Sequence, residues 1–206
     1  MGLSSNIWWT RKARIRAEKR LLSNAFQSQL LLLWYSFFSV AVSIYYLNDP
    51  QSQISATYWV AYSVLVLVMS CFINGLSFKE RASLIKECYI GLKSLHLKAK
   101  HNEENGDDKV TLSIISKDYE QSLNACENHT DEDYVIALCT DYWSSNNTIV
   151  NADPTASTSK PLPASTITHV PRTYQKIQFF FYFIKRLIAL SFLYSLPVII
   201  MCWLKS

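Results

Sequence analysis

The side chains best suited to chemistry lie near the middle of this 206-residue sequence. Cys126, His129 and Cys139 are ligand types that zinc accepts, and the Asp-Glu-Asp run at 131–133 could bind a divalent cation or exchange protons. Core packing is the favoured alternative for the first group, since two of its members fall on apolar faces of predicted helices. The carboxylates stand at a predicted helix start, where they favour the helix dipole. We therefore expect no metal or catalytic site here.

Motifs of common enzyme classes do not change that expectation. The sequence contains no phosphate-binding loop, no GxSxG motif and no HExxH motif. We predict that the chain is not an enzyme and uses no cofactor.

Long apolar segments dominate the rest of the sequence. Three blocks, 30–47, 58–78 and 187–204, contain 18, 21 and 18 residues and no charged side chain. At 1.5 Å per residue, helices of this length extend about 27–32 Å, which is the thickness of a bilayer core. The first two blocks predict a transmembrane hairpin. The third predicts another span, with a buried soluble helix as the alternative because Pro197 interrupts it.

Each helix of the predicted hairpin carries one stripe of small polar residues. Helical spacing puts the members on one face of each helix: Ser36, Ser39 and Ser43 on the first, and Ser63, Ser70, Asn74 and Ser77 on the second. Such residues favour close packing of transmembrane helices. They could also line a water-filled lumen when several hairpins assemble, and both interpretations stay open. The absence of a charge at mid-membrane argues against an ion pump.

Basic residues on both sides of the hairpin indicate its orientation. Residues 1–27 carry six Lys and Arg residues, residues 79–101 carry six more, and residues 48–57 carry none. By the positive-inside rule both ends of the hairpin face the cytoplasm, and 48–57 forms the external loop. The first six basic residues are assigned to topology or to contact with a partner: Arg11, Lys12, Arg14, Arg16, Lys19 and Arg20.

The segments outside the spans predict further helices. Residues 1–29 form a basic helix with a sparse apolar stripe of Trp8, Ile15, Leu22 and Phe26. The second span is expected to continue into a cytosolic amphipathic helix that ends near Lys100, with Ile85, Cys88, Leu92 and Leu95 on one face. This helix begins the helical region 79–143. Residues 144–173 are predicted to be a flexible linker, and residues 174–206 an interfacial helix followed by the third span.

Local signals divide the region 79–143. A turn is predicted at 101–108, followed by a helix with Leu112, Ile115, Tyr119, Leu123 and Cys126 along one face. Thr130 and Asp133 form a capping box for a short helix that ends near Tyr142. Residues 102–143 hold eleven Asp and Glu residues and two Lys residues, so the basic helices could face this acidic segment.

Three stretches carry a family resemblance: TRKARIRAEKRL at 10–21, FINGLSFKERASLIKECYIGLKSL at 72–95 and YEQSLNACENHTDEDY at 119–134. They resemble the SLATT family, two-span membrane proteins found beside prokaryotic nucleotide-signalling and conflict systems. The resemblance covers about residues 5–143, and we interpret the apolar C-terminal block as a branch-specific extension. The most specific piece is Tyr119 followed by 127–129 and 131–134. The branch associated with reverse transcriptases is the one that the sequence resembles most.

The resemblance implies a pore-forming effector in the bacterial inner membrane. It would stay silent until a sensor enzyme is triggered, then permeabilise the membrane and stop phage spread by abortive infection. The expected partners are the lipid bilayer, further copies of the chain and a reverse transcriptase or nucleotide-signalling enzyme, with direct nucleic-acid contact less favoured. The alternative function is a non-pore anchor or scaffold that recruits a nucleic-acid enzyme.

The predicted fold class is an all-α membrane protein. It consists of an N-in transmembrane hairpin that continues into a small cytosolic helical bundle, together with a C-terminal hydrophobic helix.

Overall fold

The structure, a computed structural model, describes residues 2–48, 56–106, 108–150 and 170–205. Every regular element in these ranges is a helix, which confirms the all-α prediction. The helices are α1 (Leu3–Asn48), α2 (Ala56–Gly75), α3 (Phe78–Glu104), α4 (Lys109–Asn124), α5 (Asp131–Val150) and α6 (Thr173–Lys205). Most of the predicted external loop lies outside the described residues.

Among the described residues, three stretches are long and apolar enough to cross a membrane: Leu3–Ile44, Thr57–Glu104 and Thr173–Cys202. Each of the apolar blocks identified in the sequence lies wholly or almost wholly within one of these stretches. The prediction of three apolar helices of spanning length is therefore confirmed, including the one that contains Pro197.

The chain forms two compact units. The polar unit comprises Met1–Arg20 and Ala82–Phe183, and the apolar unit comprises Leu21–Arg81 and Ile184–Ser206. The basic segment and the first span, which were predicted as separate segments, belong to one helix of 46 residues. The reason is local, since no Gly or Pro falls between the two segments and Leu, Gln and Ala favour helix throughout.

The expected continuation of the second span into a further helix is confirmed, since α3 begins at Phe78 and ends at Glu104, but a break separates the two helices. Ser77 adopts a positive φ of 45°, which separates α2 from α3. The amides of Leu76 and Ser77 bond only three residues back, to Ile73 and Asn74, at 3.2 Å each. The last residue of α2 is Gly75, and Gly is common where a helix ends.

The predicted turn at 101–108 is confirmed by the end of α3 at Glu104 and by Gly106, whose φ is 109°. Asp108 caps α4 by accepting hydrogen bonds from the amides of Val110 and Thr111, both at 3.2 Å. Hydrogen bonds from Thr111 and Val110 hold the pKa of the Asp108 carboxyl below its usual value.

The capping box before α5 is confirmed, whereas the predicted helix end near Tyr142 was wrong. The amide and hydroxyl of Thr130 donate to Asp133 at 3.1 and 2.9 Å. The helix then continues to Val150, so the predicted linker begins inside it. Trp143, the residue after the predicted end, packs within the polar unit, because its ring meets the Phe179 ring of α6 at 5.0 Å. Most of the predicted linker lies outside the described residues.

The core of the polar unit joins α1, α3 and α4. Its buried residues are Ile7, Leu92, Leu95, Ala99 and Ile115. The predicted faces of α3 and α4 are confirmed at Leu92, Leu95 and Ile115. The predicted stripe of the N-terminal helix was wrong, since Leu22 and Phe26 are exposed and α1 buries a face of small residues that includes Ala13 and Ala17.

Candidate functional site

The seven residues of the predicted polar stripes lie in the apolar unit. Four of them are exposed, namely Ser36, Ser43, Ser63 and Asn74, and three are half-buried, namely Ser39, Ser70 and Ser77. The hydroxyls of the three exposed serines donate to carbonyls of their own helices, each at 2.8 Å. The donor and acceptor pairs are Ser36 with Leu32, Ser43 with Ser39 and Ser63 with Val60. These three serines therefore satisfy their hydroxyls locally, and both stripes keep exposed positions.

Aromatic side chains make the contact between α1 and α2. The Tyr62 ring is buried and stacks on Tyr35, with centroids 6.4 Å apart and planes only 5° from parallel. The Phe38 ring meets Tyr62 edge-on at 6.3 Å, and Trp59 does so at 6.1 Å. Offset and edge-on arrangements are the favoured geometries for such rings. The sequence does not identify Tyr62 as a packing residue, because nothing in its local pattern indicates a ring partner.

A second contact joins α1 to α6 around the proline. Pro197 is buried, has no N–H, and leaves the carbonyl of Leu193 without its helical donor. The Tyr35 hydroxyl donates to that carbonyl at 3.0 Å, and the Trp34 indole N–H donates to the neighbouring carbonyl of Tyr194, also at 3.0 Å. Because lipid offers no hydrogen bonds, a proline-interrupted helix in a membrane needs donors of this kind.

Polar side chains extend the contact between the same two helices. Arg186 donates to the Ser23 hydroxyl at 2.7 Å and to the Asn24 amide oxygen at 3.3 Å. The Tyr194 hydroxyl donates to the Gln27 amide oxygen at 3.3 Å. The third apolar helix is thus bound to the first along several turns.

The proline contact predicts a thermodynamic coupling. Tyr35→Phe should lower the free energy of unfolding by about 1 kcal/mol, because it removes the donor to Leu193. In a Pro197→Ala background the restored amide of residue 197 can supply that donor, and the cost of Tyr35→Phe should fall by at least half. Unfolding in mixed detergent micelles measures both values, and Phe38→Leu serves as a control that removes a ring without removing a donor. Equal costs in the two backgrounds would contradict the coupling.

The six basic residues of the N-terminal segment lie in the polar unit. Arg20 forms two hydrogen bonds to the buried Asp133 carboxylate, at 3.0 and 3.1 Å, and Lys12 pairs with Asp141. These contacts confirm that the basic and acidic segments face each other. The Arg11 guanidinium lies 5.5 Å from the centroid of the Trp8 ring. Arg16 is half-buried and Lys19 is exposed.

Arg14 differs from the other basic residues, because its side chain is fully buried. Its guanidinium donates to the carbonyls of Ser122 and Leu123 at 3.1 and 3.2 Å, and to the Cys88 sulfur at 3.2 Å. No carboxylate in the described part of the chain forms a salt bridge with it. The sequence assigned Arg14 only to topology or to contact with a partner, because its burial depends on residues that lie far away in sequence.

The residues first considered for zinc are separated by their contacts. Cys126 lies beside Cys88, whereas the Cys139 sulfur lies 3.8 Å from the carbonyl of Gln175. Burial and the Arg14 charge lower the pKa of His129, which favours its neutral form. Within the described residues no three His, Cys, Asp or Glu side chains are arranged to hold a metal ion. The Asp-Glu-Asp run forms the first turn of α5, with Asp133 in the capping box.

Comparison with known families gives one match. The model described as SMODS and SLOG-associating 2TM effector domain family 5 matches residues 2–204. No curated protein and no solved structure matches the chain. The match extends through the C-terminal apolar helix, so that helix lies inside the family region and is not an extension beyond it.

Proposed function

The chain belongs to the SMODS and SLOG-associating 2TM effector domain family 5, and we propose that this membrane effector works by forming a pore. In this proposal several copies assemble in the bacterial inner membrane. A partner enzyme, either a reverse transcriptase or a nucleotide-signalling enzyme, triggers them during phage infection. The open assembly then permeabilises the membrane and ends the infection together with the cell.

The observation that carries the proposal is the exposure of polar side chains on helices that are otherwise apolar. Ser36 and Ser43 on α1, and Ser63 and Asn74 on α2, lie at the surface of the single chain. The three serine hydroxyls already bond to carbonyls of their own helices, and the Asn74 amide is the most polar group of the four. Contact with another copy or with water suits such groups better than contact with lipid. Large apolar side chains such as Phe37, Val40, Leu67 and Phe72 cover other exposed positions and suit lipid.

Charge supports an orientation with the N-terminus in the cytoplasm. Besides the N-terminal basic residues, α3 carries exposed Lys79, Lys86, Lys93, Lys98 and Lys100 just after the second span. The positive-inside rule favours the cytoplasmic side for both groups. A trigger needs only to favour the open assembly by a few kcal/mol to shift most of the population.

Membrane potential provides the direct test. We expect cells that carry the chain and its genomic partner to depolarise after infection, and cells that lack either component to keep their potential. A potential-sensitive dye read during a single infection cycle measures the effect. Intact potential in every infected culture, despite confirmed expression, would reject the pore.

The exposed lysines of α3 also favour the second candidate, an anchor that recruits a nucleic-acid enzyme through electrostatic attraction. Replacing both helices of the hairpin by an unrelated two-span hairpin distinguishes the candidates. An anchor would keep its protective effect after this replacement, whereas a pore would lose it.

A further inference from the structure

Two thiols and a buried cation meet in the polar unit. Cys88, on α3, accepts a hydrogen bond from the Arg14 guanidinium at 3.2 Å and donates to the Ser122 carbonyl at 3.4 Å. Cys126, in the connection between α4 and α5, lies beside Cys88; it follows Ser122, whose carbonyl accepts from Cys88, by four residues. Both cysteines are half-buried, so a small oxidant can reach them whereas a protein cannot readily do so. The cluster therefore combines a cation, a first thiol and a second thiol from a different element.

The charge of Arg14 gives this cluster its chemistry. A buried guanidinium without an anionic partner is unfavourable, and the Cys88 sulfur is the nearest group that can become an anion. The thiolate is the reactive form of cysteine, and an adjacent cation stabilises it. We propose that Cys88 and Cys126 form a hydroperoxide-sensitive dithiol, in which Cys88 is oxidised first and Cys126 closes a disulfide.

The reaction balances with one hydroperoxide per disulfide. The Cys88 thiolate attacks the peroxide oxygen, the O–O bond breaks, and a sulfenic acid and hydroxide form. The Cys126 sulfur then attacks the Cys88 sulfur, the S–OH bond breaks, and water leaves as the S–S bond forms. Burial raises the pKa of Cys126 to about 12, so this thiol keeps its proton until the second step.

The disulfide would connect the middle of α3 to the segment that precedes α5. It would therefore restrict movement between these elements of the polar unit, and a thiol reductant would reverse the restriction. Only an effect on conductance rests on the proposed function; the thiol chemistry itself does not.

Thiol mapping on the full chain in lipid nanodiscs tests the inference. After treatment with dilute hydrogen peroxide we expect a peptide linked through Cys88 and Cys126, with loss of two of the five free thiols. In Cys126→Ser, Cys88 should instead be trapped as a sulfenic acid by dimedone. Oxidation confined to the exposed Cys71 and Cys202, or links that form only between chains, would overturn the proposal.

The role of the cation has its own test. Arg14→Met should slow the modification of Cys88 by about tenfold, because the Cys88 sulfur loses the hydrogen bond from the adjacent cation. Arg16→Met is the matched control, since Arg16 lies on the same helix and shares none of the thiol contacts described. Equal rates in the two variants would overturn the role of Arg14. Should Arg14→Met fail to fold, the mapping of the unmodified chain still decides whether the dithiol exists. Conductance enters neither measurement, so failure of the pore and failure of the dithiol are distinguishable.

Discussion

Replacing Ser39 and Asn74 together by leucine is expected to abolish conductance across membranes that contain the triggered protein. Ser39 lies on the polar stripe of α1, and Asn74 lies near the end of α2 on the second stripe. Leucine at these positions would replace the water-binding groups of a lumen by apolar side chains, and a narrow apolar constriction loses its water. Ion flux through reconstituted bilayers, or dye-detected depolarisation in cells, measures the change.

A matched pair of substitutions separates the stripes from the rest of the helix surface. Ala41 on α1 and Cys71 on α2 are small, exposed and off the stripes. Ala41→Leu with Cys71→Leu adds comparable apolar volume and should leave conductance close to that of the unmodified chain. Normal conductance in the Ser39/Asn74 variant would leave the stripes with a packing role only.

The parts of the fold that the sequence predicts correctly are those that follow from regular or local sequence patterns. Long uncharged runs identify helices of spanning length because few other structures accommodate them. The Thr130–Asp133 spacing and the turn before Asp108 depend on neighbouring residues, so local sequence contains what is needed. The apolar face of α3 follows from helical periodicity, which the buried Leu92 and Leu95 confirm.

Structural features that depend on partners distant in the sequence could not be predicted from local sequence patterns. Arg14 is buried because carbonyls at 122 and 123 happen to meet it, and a basic run gives no sign of this. Pro197 suggested an interruption, but its effect depends on Tyr35, more than 150 residues earlier. The break at Ser77 had a local signal in Gly75, yet the apolar run around it favoured a continuous helix.

Asp133→Asn is expected to produce the largest loss of stability in the polar unit, about 3 kcal/mol in the region of α5. The Asp133 carboxylate is buried and accepts two hydrogen bonds from Arg20 and two from Thr130. An amide supplies one oxygen and no charge, so its N–H groups would face a guanidinium that also donates. Arg20 is partly exposed, and water can recover some of the loss on its side.

Amide hydrogen exchange of the full chain measures this effect where it arises. An opening free energy lowered by about 3 kcal/mol should speed exchange along α5 by about a hundredfold. Asp131→Asn is the control, because Asp131 occupies the same first turn but is exposed, and its charge contributes only about 0.3–1 kcal/mol through the helix dipole. Similar acceleration in both variants would mean that the dipole, and not the Arg20 contact, makes Asp133 important. A hundredfold difference confined to Asp133→Asn would instead identify this carboxylate as the point where the basic segment of α1 fixes the start of α5.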